Sequence, residues 1–363
     1  MTEIGAAAVV LPGGDLAETI DFFRDRLGFS LITIYPADAP RVATMTGHGL
    51  NVYLDSERPR QEGLVLRMTG PSPAASLHAP NGVDIEIVAA AGKVLAPCEP
   101  RFEYCPAPGA GGFEEGRAGM QYRDLIPGRH GGRYIASHIR IVQGGPVPDY
   151  VHFHQIAFQM IYCYRGWVRV VYEDQGPAFV MRAGDCVLQP PQIRHQVLAA
   201  SAGLEVIEIG CPAEHITCAE QSITLPTAVL DAKRDFGGQQ FMRHIAASAA
   251  WRTIPGVAIS GFEMRDTGIA HASAGAGAGA VLRPRAGFSA SCFSCDAELI
   301  FCFVLEGTMQ WRSTAQILEL EPGAAVTVPA NTPIEWSRWS DDLELLWVTV
   351  PGTSRITELH TPS

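Results

Sequence analysis

The chain repeats itself once, and the length of that repeat restricts the fold more than any other feature. Tyr164-Arg165-Gly166-Trp167 aligns with Leu305-Glu306-Gly307-Thr308, and residues 184–195 (GDCVLQPPQIRH) align without a gap with residues 323–334 (GAAVTVPANTPI). The leading glycine and a proline six residues on are kept in both copies. A period of about 140 residues is far longer than a solenoid unit, so it marks a duplicated domain. The full 363 residues exceed one compact core and fit two or three domains.

Both copies read as strands. Short apolar runs recur at RYIASHIRIV, FQMIYCYRG, WVRVVYED, AFVMRAGDCVLQ and LEVIEIG, the rhythm of an all-β barrel or sandwich. Charged residues are only 18%, against 47% apolar, with 37 Gly and 26 Pro, which suits buried strands joined by turns. The net charge of −11 and the lack of a Lys/Arg cluster exclude a phosphate-reading surface, so no nucleic-acid partner is expected. No apolar stretch is long enough to span a bilayer, so no membrane partner and a cytoplasmic location are expected. Nine cysteines in apolar surroundings read as reduced, buried thiols, and Cys292 and Cys295 as strand packing rather than half of a zinc motif.

The candidate chemistry lies in the first copy. His152 and His154 are two apart, so on a strand both imidazoles leave the same face and can share one ion. Gln159, Gly166, Gly184, Pro190 and His195 follow. This arrangement resembles the cupin superfamily, whose first motif has two histidines one residue apart, a glutamate and a glycine, and whose second has glycine, proline and histidine. The resemblance implies a bicupin: a metal-binding cupin at 133–225, a connector at 226–255, a structural cupin at 256–351 and a tail at 352–363. It implies a ligand set of His152, His154, Gln159 and His195, with Gln159 replacing the usual glutamate and Gln192 standing where a glycine is usual. Alternatively, Gln159 hydrogen-bonds a neighbouring group and leaves three histidines. In the second copy the same slots hold Phe293, Cys295, Ile300 and Ile334, which implies a degenerate barrel.

The first 90 residues precede this pair. DLAETIDFFRDRLGF predicts a helix with Asp15 as N-cap, Ile20, Phe23 and Leu27 on one face, and Gly28 as its stop. Strands are expected around it in the order βαβββ, with more behind. This stretch and APNGVDIEIV resemble a module of the vicinal-oxygen-chelate (glyoxalase and extradiol dioxygenase) superfamily. By that resemblance Glu86 falls at a metal-binding carboxylate, but the first strand lacks the family's histidine, so the site is expected to be lost. Residues 91–132, rich in Pro and Gly, read as a connector draped over the next domain, where it could line that domain's mouth. A short helix is expected near AEHITCAEQ. The fold class is therefore mainly β, two tandem cupin (double-stranded β-helix) barrels behind a small α+β domain.

Three imidazoles and an amide oxygen leave a dication uncompensated, so the site should favour an anionic chelating ligand. Fe(II) is the expected metal, with Zn, Ni, Mn or Cu also compatible, and O2 the co-substrate. The expected activity is that of a non-haem iron oxygenase of dioxygenase type, oxidising or cleaving a small ring. The glutamine-substituted site resembles the tandem-cupin iron oxygenases of oxazinomycin biosynthesis, implying a nitrogen heterocycle of a nucleoside-type natural product. The alternatives are a non-redox lyase or isomerase and a ligand-binding bicupin without catalysis. Arg140 and His138, which share one strand face, and Tyr150, which shares the ligands' parity, are candidate substrate contacts. Gln192 and Arg194 are candidate rim residues, and Glu208 reads as a solvated edge or a base. The partners expected are a small-molecule substrate and a second copy in a homodimer.

Overall fold

The computed structural model describes residues 6–70, 75–89, 95–109, 112–253, 259–313 and 316–359. The two expected connectors and the tail lie partly outside these. The chain divides into two compact units, Met1–Val94 and Leu95–Ser363.

In the first unit, helix Leu16–Asp25 begins where Asp15 accepts the backbone N–H of Glu18 at 3.1 Å, satisfying one of the donors a helix start leaves free. Phe23 and Leu27 are buried beneath it against Met45, Val52 and Leu54. The helix leads into a four-stranded sheet in the order Val9–Pro12, Leu50–Asp55, Val42–Gly47, Ser30–Tyr35. A three-stranded sheet follows: Val65–Gly70, Asp84–Ala89 and Ala75–His78, the last strand not foreseen. Glu86 lies 2.7 Å from Arg67 on the neighbouring strand, an exposed ion pair rather than a cluster of metal ligands.

The second unit is mainly β and contains two barrels. In the first, a sheet ordered Met242–His244, Cys186–Leu188, Phe158–Arg165, Leu204–Cys211, Ile135–Ile141, Gln121–Asp124, Glu114–Glu115 faces one ordered Phe179–Arg182, Trp167–Tyr172, His195–Ala200, His152–His154, Thr217–Ala219. The second repeats the plan with Phe262–Asp266, Ala278–Pro284, Glu344–Val350, Leu299–Glu306, Ala325–Val328, Glu103–Cys105 against Ile317–Leu320, Met309–Ser313, Ile334–Ser337, Ala290–Cys295, Ile356–Glu358. The stretch read as a connector thus supplies an edge strand to each barrel. Where a helix was expected near residue 217, strand Thr217–Ala219 pairs with the histidine strand instead, with Thr217 opposite His154. The open edge of that short strand offers the segment more backbone hydrogen bonds than one isolated helical turn could make.

The repeat seen in the sequence is a repeat of turns. Gly166 and Gly307 both sit at positive φ, 72° and 71°, each one residue past a bulge. A Cβ there would lie 2.3 Å from the Ser201 hydroxyl oxygen or 2.4 Å from that of Ser340. Each serine accepts the backbone N–H just after its glycine, from Trp167 at 3.0 Å and from Thr308 at 2.8 Å. Only glycine satisfies both the conformation and the contact.

The barrels pack through their larger sheets. On Phe158–Arg165 the even positions Phe158, Met160, Tyr162 and Tyr164 join Phe301, Phe303, Leu346 and Val348 of the second barrel in one core. The odd positions Gln159 and Ile161 face the interior of the first barrel. That alternation is the period of two of a strand, here with both faces buried. Cys292 and Cys295, three apart on one strand, point to opposite faces and cannot share an ion; all nine cysteines are free.

Because Phe301 is fully buried where the barrels meet, Phe301→Ala should cost about 3–5 kcal/mol. Urea unfolding of the metal-free protein should show that loss as an earlier transition reporting both barrels together. A shift confined to fluorescence from the tryptophans of the second barrel would mean that the shared core does not couple them.

Candidate metal centre

His152 and His195 are direct cross-strand partners on adjacent strands, and His154 projects from the same face as His152. One ring nitrogen from each of the three lies within 4.8 Å of those of the other two. The other nitrogens are engaged. His152 Nδ1 donates to the Tyr150 carbonyl at 2.8 Å and His195 Nδ1 to the Ile193 carbonyl at 3.0 Å. His154 Nδ1 lies 2.9 Å from the Thr217 hydroxyl. Carbonyls only accept, so for His152 and His195 the proton is on Nδ1 and the lone pair on Nε2. Burial is the main cause that pushes these rings toward the neutral form, joined for His154 by the imidazoles of His152 and His215, for His195 by those of His152 and His154, and for His152 by the Arg117 guanidinium: His154 falls to about 3, and His152 and His195 also fall below the ordinary value of 6.5. Neutral rings with outward-facing N–H groups held by oxygen acceptors are what metal-ligating histidines require. The residues present therefore fit a divalent metal.

The second barrel shows the same geometry without the chemistry. Phe293 and Ile334 are cross-strand partners as His152 and His195 are. Both are fully buried, with Ile300, among Trp311, Trp336 and Trp347. Aromatic side chains fill the volume that ligands line in the first copy.

His154 and His195 line a chamber of about 260 Å³ with mostly apolar walls, among them Ile135, Ile139, Ile161, Val170, Met181 and Val206. Four polar groups on it were not singled out by the sequence. Arg117, from the stretch expected to line the mouth, donates to His152 Nε2 at 2.8 Å and to Asp149 at 2.7 Å. The Asp149 carboxylate is fully buried and also takes the Val197 N–H. The guanidinium and a metal ion compete for one lone pair, so an ion bound there leaves Arg117 free to face an anion. Gln189 reaches within 3.5 Å of His195 Nε2. His215 packs its ring edge-on 5.2 Å from that of His154, and Thr217 holds His154. An isolated Arg, Gln or His outside a spacing motif carries no signal that would have revealed these.

The expected substrate contacts lie elsewhere. His138 and Arg140 do share a face of Ile135–Ile141, but the chamber is lined by the other one, Ile135, Ser137, Ile139 and Ile141. His138 is buried against Tyr164 and Phe303 and binds Glu205 at 2.6 Å. Arg140 stacks 3.9 Å from the Phe113 ring and donates to Gln121 at 2.7 Å. The reason is that the strand's other face is claimed by the core between the barrels. Tyr150 is 52% exposed and off the chamber wall; its carbonyl orients His152 instead. Arg194 stacks on Phe153 and pairs with Glu220, while Gln192 takes a positive φ of 64° in the turn, where its N–H meets the His154 carbonyl at 3.2 Å. Glu208 is no solvated edge: it lines the chamber and accepts a hydrogen bond from Gln159 at 2.5 Å. Gln159 Oε1 in turn accepts from Gln189 at 3.0 Å.

No protein-family model matches this sequence, and no curated protein matches it. Solved structures do match the fold. A glycine-to-alanine mutant of salicylate 1,2-dioxygenase from Pseudoaminobacter salicylatoxidans gives a TM-score of 0.52 at 12% identity, covering 73% of this chain and 90% of that one. The same mutant in complex with gentisate gives 0.51 at 11%, covering 74% and 88%. A deletion mutant of Bacillus subtilis oxalate decarboxylase gives 0.50 at 12%, covering 68% and 76%. This is a bicupin fold. At such identity the likeness extends to the backbone plan, and within the bicupin the histidine group is the one cluster of three or more His, Cys, Asp or Glu among the described residues whose donor atoms converge as metal ligands do.

The depressed imidazoles set a pH dependence. Below 6.5 the unfolded chain takes up protons that the folded rings refuse, so the stability they contribute is present above 6.5 and declines as pH falls toward about 3, the value for His154. The thermal midpoint of metal-free protein should therefore drop between pH 7.5 and 5.5, and His154→Asn should reduce that drop. Equal drops for both proteins would show that the ring is not held neutral by its surroundings.

Proposed function

We propose that the first barrel holds a non-haem Fe(II) centre and uses O2 to oxidise or cleave a small anionic, chelating ring. The observation that carries this reading is the convergence of three neutral imidazoles beside Arg117, with His154, His195 and Arg117 on the wall of an apolar chamber. Bound there, Fe(II) would supply the one-electron chemistry that lets O2 react with a closed-shell substrate.

The chain's own residues account for substrate choice. Three neutral rings leave the charge of a dication uncancelled, and Arg117, its charge paired with Asp149, offers hydrogen-bond donors at the same place, so a deprotonated hydroxy or carboxy group is favoured. Asp149 holds the guanidinium by one arm and leaves its other donors for that group. Ile135, Ile139, Val170 and Val206 press on a flat ring and exclude water, which strengthens every charge contact within. Within this reading the substrate is a heteroaromatic ring of nucleoside type.

Purified protein loaded anaerobically with Fe(II) should bind about one equivalent. It should then consume O2 when given hydroxylated pyridines or catechols, and His152→Ala should lower both loading and O2 uptake by at least tenfold. Turnover without O2 would replace this assignment with a non-redox lyase or isomerase.

A further inference from the structure

A chain of side-chain hydrogen bonds crosses the chamber wall and ends beside the imidazoles. The Tyr172 hydroxyl donates to Gln189 Oε1 at 2.7 Å, Gln189 Nε2 donates to Gln159 Oε1 at 3.0 Å, and Gln159 Nε2 donates to Glu208 at 2.5 Å. Tyr172 is fully buried and its ring stacks on that of His195, with centroids 5.6 Å apart. Gln189 Nε2, 3.5 Å from His195 Nε2, is the link closest to the candidate centre.

Direction is the property that matters. A phenol donates or accepts, and an amide does either according to which way it is turned. Tyr172, Gln189 and Gln159 alone would be equally satisfied by the reversed chain. Glu208 removes that freedom, because a carboxylate only accepts. Its presence turns the Gln159 N–H2 toward it, the Gln159 oxygen toward Gln189, and the Gln189 N–H2 toward both Gln159 and the imidazoles.

We propose that Glu208 is a positioning residue that fixes the direction of this chain and so makes Gln189 an N–H donor to an anion bound at the metal centre. The proposal rests on the metal-centre reading above. In the reversed chain Gln189 would present its carbonyl oxygen there and repel an anion. Glu208 acts by accepting one hydrogen bond two amides away, without touching the anion. The carboxylate missing at position 159 is thus present on the neighbouring strand, where it organises donors instead of cancelling the charge of the ion.

The test uses Co(II) as metal and azide as anion, followed by the visible spectrum of cobalt. Glu208→Gln keeps shape but can donate as well as accept, so both directions become available. It should retain cobalt binding within about threefold and weaken azide binding about tenfold, in the range for residues that support metal ligands from behind. Gln189→Leu should lose azide affinity to a similar degree, and adding Glu208→Gln to it should change nothing further. Azide affinity within twofold of wild type in Glu208→Gln, or full multiplication of the two losses in the double variant, would overturn the proposal. Undiminished cobalt binding by His152→Ala would overturn the metal-centre reading itself, and this inference with it.

Discussion

The layer in which the two barrels meet governs what the rest of the second unit can do. Strands Phe158–Arg165 and Leu204–Cys211 are covered on both sides, so each must divide its side chains between two interiors. Phe158, Met160, Tyr162, Ile207 and Ile209 go to the shared core, which leaves Gln159, Ile161, Val206 and Glu208 for the chamber. A shift of one residue in either strand would send polar groups into the shared core and aromatics into the chamber. The chemistry of the site is therefore held in register by packing on the opposite face of the same strands.

That layer also explains what was legible in the sequence. A spacing of two puts His152 and His154 on one face whatever surrounds them, and the turn glycines at 166, 184, 307 and 323 are required by positive φ, a local demand. These could be read directly. Parity showed that His138 and Arg140 share a face, but which of two buried faces looks into the chamber is settled by the second barrel, more than a hundred residues on. Arg117 and Gln189 escaped notice for a related reason: their roles come from tertiary proximity to His152 and His195. The strand at Thr217–Ala219 was misjudged because a free sheet edge outweighs weak local preference.

Electrostatically the centre pairs neutral rings with one ion pair. The three converging imidazoles carry no negative charge, Arg117 donates to His152, and the buried carboxylate of Asp149 is occupied in restraining Arg117. Among these groups the Arg117–Asp149 pair is already balanced, so under the proposed metal reading it is the charge of the ion that a bound anion would offset. Glu208 belongs to the same arrangement, since the group it anchors, Gln159, is hydrogen-bonded on its other side to Gln189.

At the positions equivalent to His152, Gln159 and His195 the second barrel holds Phe293, Ile300 and Ile334, buried in one core with Trp311, Trp336 and Trp347. Because it is tethered to the first barrel by the chain itself, the wall it forms behind Phe158 and Tyr162 is present at any dilution, with no association equilibrium to satisfy. A first barrel alone would have to borrow that wall from another molecule. Joining both barrels in one chain makes that support permanent, a rigid back against which the chamber of the first barrel is built.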